Sequence, residues 1–280
     1  FIDLSIKNAN AGSFDIQFIR LGKVEAEYRY VLRERSLGSK DREGFDSGDV
    51  IYLITPDRYA NGDPRNDSVD GLREKLKRNN KDGRHGGDIQ GIIDHLGYID
   101  QMGFTQLCLN PVLVNDQKTF SYHGYSTTDF YNIDPRFGDN TLYLELSEKA
   151  NARGIGIIKD VILNHIGSEH WWMDDLPSDD WINNGGNFIN TNHIHESMHD
   201  PHLSIFEKNL FTDGWFVKSM PDLNQRNELL ETYLIQNSIW WIEYANLSGF
   251  RVDTYPYVDK NFLSTWSMRI LSLIHISEPT

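Results

Sequence analysis

The sequence predicts an α/β fold, a partial TIM (β/α)8 barrel preceded by the end of a β-sandwich domain. From residue 49 onward, apolar strands alternate with helices of amphipathic spacing. Strands that are apolar on both faces are typical of a parallel sheet covered by helices, and four strand–helix units are half of an eight-stranded barrel. The residues before 45 instead contain short strands separated by turns, which is typical of antiparallel β structure.

The elements follow in chain order. Residues 1–45, with the strands FIDLSI, SFDIQFIR and EAEYRYVLRE, are expected to be the C-terminal part of an N-terminal β-sandwich domain. Residues 49–270 are expected to be the first half of the barrel. Its four predicted strands are DVIYLIT, FTQLCLNPV, GIGIIKDVIL and LSGFRVDTY. Its predicted helices cover residues 88–102, 140–153 and 224–246.

A long connection follows the third barrel strand. Residues 166–224 are rich in Trp, Asn, Asp and His. Ordinary connections after a barrel strand have about 2–6 residues, so we expect an inserted subdomain here. The last segment, 271–280 (LSLIHISEPT), resembles a translated sequencing adapter, and we expect it to be a non-native tail.

Charge and hydropathy exclude two kinds of partner. The 280 residues have a formal net charge of −14, and so acidic a chain would be repelled by a polyphosphate, which excludes nucleic acid. No apolar run approaches the ~18–20 residues that cross a bilayer, so no membrane span is expected.

Side chains suited to sugar chemistry end two of the predicted barrel strands. Arg251 and Asp253 lie two residues apart and therefore point to the same side, where the guanidinium would keep the carboxylate ionised. Such a carboxylate at a barrel mouth can be a glycosidase nucleophile, and a structural Arg–Asp pair is the alternative. Strand three ends with Asp160, Asn164 and His165, as part of a site or as a capping turn.

Ring side chains occupy the two loops nearest these residues. The loop SYHGYSTTDFYNIDPRFG brings His123 and Tyr125 to the same mouth, as a wall for a bound sugar or as a structured aromatic loop. The insertion contains tryptophans that could line a groove for glucan chains or form the core of the subdomain. These are Trp171, Trp172, Trp181 and Trp215.

The loop ANGDPRND concentrates oxygen donors. Its side chains Asn61, Asp63, Asn66 and Asp67 suit a hard cation such as Ca²⁺, which takes six to eight oxygen ligands. A polar turn rich in Asn, Asp, Gly and Pro is the alternative interpretation.

Taken together, DxxxNH ending strand three, GFRVDxxxY on strand four and YHGYxxxDFYxIDPRFG after strand two resemble the α-amylase family of glycoside hydrolases, family 13. The resemblance covers about residues 49–270. The stretch MPDLN, 220–224, is similar to the motif that ends the family's inserted subdomain, and its Met and Pro resemble the neopullulanase and cyclomaltodextrinase branch. The N-terminal piece resembles the end of the β-sandwich that precedes the barrel in that branch.

The resemblance implies a role for each site residue. Asp253 is the nucleophile that forms a covalent glycosyl intermediate, and Arg251 supports it. His123 and His165 hydrogen-bond the sugar at the cleavage point, and Tyr125 stacks beneath it. The residues that mainly hold the architecture are Asp160 and Asn164. Relatives bind a structural Ca²⁺ with the loop at 60–67, joined by Gly86, Gly87 and Asp88.

The resemblance also implies an activity. It implies a retaining hydrolase of α-1,4, and secondarily α-1,6, bonds in starch-derived oligosaccharides, cyclodextrins or pullulan, with an α-glucan oligosaccharide as partner. A transglycosylase, or a carbohydrate-binding protein without chemistry, fits the same residues. The family's general acid follows strand five, which the sequence does not reach, so we expect this chain alone to be inactive. The branch further implies a bacterial protein of the periplasm or cytoplasm, and a homodimer for the full-length parent.

Overall fold

The computed structural model describes residues 10–274, and the chain divides into two compact units between residues 40 and 41. The predicted strand FIDLSI, 1–6, lies outside the described residues. So does the end of the predicted tail, whereas residues 271–274 continue a helix.

The first unit contains one antiparallel hairpin. Strand β1 (Gly12–Arg20) pairs with β2 (Lys23–Leu32), as the sequence pattern predicts. The two residues between them, Leu21 and Gly22, both have positive φ (48° and 75°), which is the geometry of a two-residue turn matched to the twist of the strands. The β-sandwich to which this hairpin would belong stays a prediction.

The second unit is built on four parallel strands. They are β3 (Ile51–Ile54), β4 (Gln106–Leu109), β7 (Gly156–Val161) and β8 (Gly249–Val252). They are hydrogen-bonded in the order β3-β4-β7-β8, so the predicted parallel sheet is confirmed. A short antiparallel pair, β5 (Leu113–Val114) and β6 (Asp129–Ile133), lies in the connection between β4 and β7.

Helices cover one side of this sheet. They are α1 (Ile89–Asp94), α2 (Leu96–Gln101), α3 (Asn140–Asn151), α5 (Glu228–Ala245) and α6 (Lys260–Ile274), whereas α4 (Ile205–Thr212) lies in the insertion at 166–224. Strand residues that point to this side, such as Leu107 and Ile157, are fully buried against α-helical side chains, including Trp241 of α5. On the opposite side, Ile51 and Leu53 are 46% and 60% exposed.

The single helix predicted at 88–102 is two helices in the structure. His95 leaves the helical conformation (φ −106°, ψ 7°). Its backbone N–H donates to the carbonyl oxygen of Ile92, three residues back, and not to that of Gly91, four residues back, as in an α-helix. Its ring Nδ1 instead donates to the Gly91 carbonyl oxygen at 2.7 Å. A side chain that replaces the backbone donor in this way interrupts the helix.

The end of the insertion at 166–224 pairs with the segment that follows β7, where the insertion begins. Backbone bridges join His165 to Asp222 and Ile182 to Leu223. Between these bridges the chain forms three short 3₁₀ turns and α4. Within residues 10–274, the structure contains no helix with the length and apolarity to span a membrane.

Candidate active site

The sequence-predicted site residues meet at the C-terminal edge of the four-stranded sheet. Asp160 of β7 and Arg251 of β8 are register partners, so their side chains stand side by side on one face. Asp253 follows β8 directly, and its backbone N–H still donates to Val161 at 3.0 Å. The edge therefore presents two carboxylates and one guanidinium.

Arg251 binds both carboxylates. Its Nη1 lies 2.5 Å from Asp160 Oδ2 and 3.1 Å from Asp253 Oδ1. The same nitrogen donates to the hydroxyl of Tyr125 at 3.1 Å. The side chain of Asp160 is fully buried and that of Asp253 is 14% exposed. Of the two, Asp253 is thus the carboxylate that a bound molecule could reach.

Tyr125 connects the strands to the two histidines. The backbone N–H of Tyr125 donates to His123 Nδ1 at 2.9 Å, so the proton of a neutral His123 lies on Nε2. His165 Nε2 donates to the Tyr125 carbonyl oxygen at 2.9 Å. The rings of His123 and Tyr125 are 5.6 Å apart. The structure brings these predicted residues together around one tyrosine.

Burial controls the ionisation of the site. Burial raises the pKa of Asp253, and the Arg251 guanidinium opposes this shift. Burial likewise raises the pKa of Asp160 to about 6, again against the effect of Arg251. Burial lowers the pKa of His123 and of His165 to about 4 each, so both imidazoles are neutral at pH 7. Neutral imidazoles and an arginine-bound carboxylate suit the binding of an uncharged polar ligand.

Asn164 binds the C-terminal end of the insertion through Asp222. Its Nδ2 donates to Asp222 Oδ1 at 2.7 Å, and Asn183 Nδ2 donates to the other oxygen of Asp222 at 2.7 Å. Asp222 belongs to the MPDLN stretch, so this stretch is fixed to the end of β7. Asp160, which the resemblance groups with Asn164, differs from it because it contacts Arg251 directly.

A family comparison accounts for this arrangement. A family model described as "Alpha amylase, catalytic domain" matches residues 53–266.

The chain belongs to the α-amylase family.

Individual proteins of the α-amylase family are similar to this chain in sequence and in structure. Neopullulanase 2 of Thermoactinomyces vulgaris is 32% identical over 80% of the chain, and the cyclomaltodextrinase of Thermoanaerobacter pseudethanolicus is 30% identical over 76%. The chain spans 37% and 35% of these curated relatives, about a third of their length. The crystal structure of the Geobacillus thermoleovorans α-amylase, complexed with acarbose, superposes with a TM-score of 0.65 and 31% identity, covering 80% of this chain and 44% of that one.

Two features of the α-amylase family site were not predicted from the sequence. Asn110 follows β4 and donates to the Tyr125 hydroxyl at 3.2 Å. Its position near the C-terminal end of the predicted strand FTQLCLNPV, at the mouth side, was the available signal. Behind the loop, Arg84 and Arg136 are buried with Asp57 and Asp134, and Arg136 binds Asp134 at 2.7 Å. Asp134 and Arg136 lie two residues apart in the DPR sequence, but no local pattern marks their grouping with Asp57 and Arg84, which come from other loops.

The tryptophans of the insertion divide between the two interpretations given by the sequence. Trp172, Trp181 and Trp215 are buried, which favours the core interpretation for them. Trp171 is 59% exposed, and its ring packs edge-on against Trp172 at 5.8 Å. It is the one of the four that a ligand could contact.

The loop at 60–67 contains unsatisfied oxygen atoms. Among the described residues, the Oδ1 atoms of Asn61 and Asn66 are buried and have no hydrogen-bond partner. Asp67 Oδ1 lies 2.6 Å from Asn61 Nδ2, and a Cβ at Gly86 would lie 2.3 Å from that oxygen. Asn61, Asp67 and Gly86 are therefore in close contact, and the unpartnered amide oxygens of Asn61 and Asn66 fit a small cation that takes oxygen ligands.

Two of the predicted ligands have other partners in the structure. The carboxylate of Asp63 binds Arg65 at 2.7 Å. Both oxygens of Asp88 accept backbone N–H groups, from Gly62 at 3.0 Å, Asp63 at 2.8 Å and Gly91 at 2.7 Å. Within residues 10–274, no group of three or more His, Cys, Asp or Glu side chains is arranged to hold a metal. The donors for a cation would be mainly amide and backbone oxygens.

Proposed function

We propose that the protein carrying this chain is a retaining α-glucan hydrolase with Asp253 as its nucleophile. Its substrates would be starch-derived oligosaccharides, cyclodextrins or pullulan. The observation that supports this most directly is Arg251, which binds Asp253 at 3.1 Å and so favours the ionised carboxylate in a partly desolvated place. The names of the relatives, neopullulanase and cyclomaltodextrinase, support the substrate class.

Each neighbouring side chain has a part in this proposal. Nε2–H of His123 would donate to a sugar hydroxyl, because Nδ1 already accepts a backbone N–H. His165, which is buried, would stay neutral and hold the Tyr125 carbonyl oxygen through its Nε2–H. Tyr125 would offer its ring to the face of the sugar while Arg251 holds its hydroxyl. Asp160 would hold Arg251, and Asn164 would hold the insertion.

The nucleophile can be tested with a fluorinated α-glucosyl fluoride. Fluoride leaves without protonation, so the Asp253 carboxylate would form a bond to the anomeric carbon as the C–F bond breaks, without help from a general acid. We expect mass spectrometry to find one glycosyl unit on the peptide containing Asp253, and none in Asp253→Asn. A label on any other residue would contradict the assignment.

We also propose that residues 1–280 alone do not turn over natural glucans. The two carboxylates at the sheet edge, Asp160 and Asp253, both bind Arg251. A retaining glycosidase needs a protonated acid about 5–5.5 Å from the nucleophile, across the glycosidic bond. We therefore expect no release of reducing sugar from maltooligosaccharides by this chain, and measurable release would refute the proposal.

A structural Ca²⁺ is proposed at the loop of residues 60–67. Asn61, Asn66, Asp67 and the backbone at Gly86 would hold it, and the ion would cross-link the loop to the segment before α1. We expect Ca²⁺ to raise the melting temperature of an EDTA-treated sample, because a ligand that binds only the folded state stabilises it. Asn66→Ala should remove this rise, whereas Asp63→Ala, whose carboxylate binds Arg65, should retain it. An unchanged melting temperature in the unmodified protein would count against the site.

A further inference from the structure

Asn110 directly follows β4, at the C-terminal edge of the parallel sheet. Its backbone N–H donates to the Ile54 carbonyl oxygen at 2.9 Å, which fixes its Cα beside the end of β3. Its side-chain Nδ2 donates to the Tyr125 hydroxyl at 3.2 Å. Asn110 therefore contacts the tyrosine that links both histidines to the arginine, without contacting either carboxylate.

The Tyr125 hydroxyl has three partners and one proton. Asn110 Nδ2 and Arg251 Nη1 are both N–H donors, so each takes a lone pair of the phenol oxygen. The phenol's own proton is then directed to Asp160 Oδ2 at 3.1 Å. An ionised Asp160 can only accept, so this arrangement satisfies the hydroxyl completely.

The orientation of the Asn110 amide is decided at this hydroxyl. In the observed orientation Oδ1 is buried and has no hydrogen-bond partner among residues 10–274, and a flipped amide would leave Nδ2 there instead. A flipped amide would also aim Oδ1 at the phenol and draw the phenol's proton to itself. Asp160 would then lose one of its two hydrogen-bond donors to Oδ2. The donating amide is the orientation that leaves an ionised Asp160 both of its donors to Oδ2.

We propose that Asn110 is a positioning residue that directs the Tyr125 proton to Asp160 and so holds Arg251 beside Asp253. Asn110 acts through Tyr125 and does not touch the substrate. Its importance for turnover rests on the proposed function of Asp253, whereas its effect on Asp160 does not.

The effect on Asp160 is measured on the 280-residue chain by NMR titration of ¹³C-labelled aspartate carboxyls. In Asn110→Ala we expect Asp160 to titrate at higher pH than in the unmodified chain, because a weaker hydrogen bond to the ionised form raises a carboxyl pKa. Asn110→Ser keeps a donor and should titrate closer to the unmodified chain. In a Tyr125→Phe background, Asn110→Ala should cause no further shift, since the connecting hydroxyl is gone.

The effect on turnover is measured in a form of the protein that cleaves maltooligosaccharides. There we expect Asn110→Ala to lower kcat about tenfold with little change in KM, as for loss of one hydrogen bond that positions the site. An Asn110→Ala chain with cooperative melting and an unchanged Asp160 titration would overturn the inference. If that variant does not fold, Asn110→Leu, which preserves the volume, is judged by the same criterion. A shifted Asp160 titration in the 280-residue chain, together with a full-length protein that cleaves no glucan, would support the inference and contradict the proposed function.

Discussion

Arg251 is the residue that organises the candidate site. Strand alternation is sufficient to predict that Arg251 and Asp253 share a face, because side chains two positions apart on a strand point the same way. The contact of Arg251 with Asp160 could not be predicted in this way. It joins residues 91 apart in the chain and depends on the register of two strands.

Lys159, the neighbour of Asp160, points to the opposite side of the sheet and is fully buried. Its Nζ lies 5.1 Å from the centre of the Trp241 ring and 3.4 Å from the Asp160 carbonyl oxygen. Burial lowers its pKa to about 7. Below pH 7 the folded state therefore carries a poorly solvated ammonium. Between pH 7 and about 10, Lys159 is mostly neutral in the folded state and protonated in the unfolded chain, so unfolding takes up one proton.

We expect stability to rise with pH across this window because of Lys159. Lys159→Met removes the buried charge, so it should raise the melting temperature at pH 6–7 and flatten the rise between pH 7 and about 10. Lys149→Met, on the exposed side of α3 with an ion pair to Glu145, is the matched control and should leave the pH dependence unchanged. If the melting temperatures of Lys159→Met and of the unmodified chain changed with pH in the same way, the buried ammonium would not titrate in this range.

At the scale of elements, helix ends were predicted less well than helix existence. The periodicity of apolar residues correctly predicts a long helix near 224–246, yet α5 begins at Glu228. Asn227 has an extended backbone, and its side chain accepts the N–H groups of Leu229 at 3.0 Å and Leu230 at 3.1 Å. The capping side chain makes the helix begin later than the periodic pattern predicts. Both Asn224 and Asn227 could have served as the cap.

The cap of α5 gives a stability prediction. Asn227→Ala should lower the free energy of unfolding by about 1 kcal/mol, because two N–H groups at the helix start lose their acceptor. Asn227→Ser retains an acceptor and should lose clearly less. Urea unfolding of the three proteins measures both changes, and equal losses for Ala and Ser would instead point to the contact of Asn227 with Asp180 at 2.9 Å.

At the scale of the whole molecule, the parallel sheet has two edges, and its face away from the helices is exposed at β3. Within residues 10–274, β3 and β8 each have one neighbour in this sheet. Ile51 and Leu53 on β3 are 46% and 60% exposed. Unpaired strand edges beside exposed apolar side chains are sites of association between chains.

We therefore expect the 280-residue chain to associate at micromolar concentration in light scattering after size exclusion. Leu53→Lys should reduce association, because a charge on an edge strand opposes edge-to-edge pairing. Leu21→Lys, at a 96% exposed turn position of the hairpin in the first unit, is the control and should change little. A sharp monomer peak for the unmodified chain, with cooperative melting, would contradict this expectation.

The sequence by itself predicted the parallel α/β sheet and the residues proposed for the site. These follow from local patterns: side-chain alternation along strands, apolar periodicity along helices, and motifs at strand ends. Only the tertiary structure decided that Asp160 shares Arg251 with Asp253 and that Asn110 donates to Tyr125. The physical reason is that hydrogen bonds and ion pairs form within about 3 Å, and packing of distant segments sets distances on that scale.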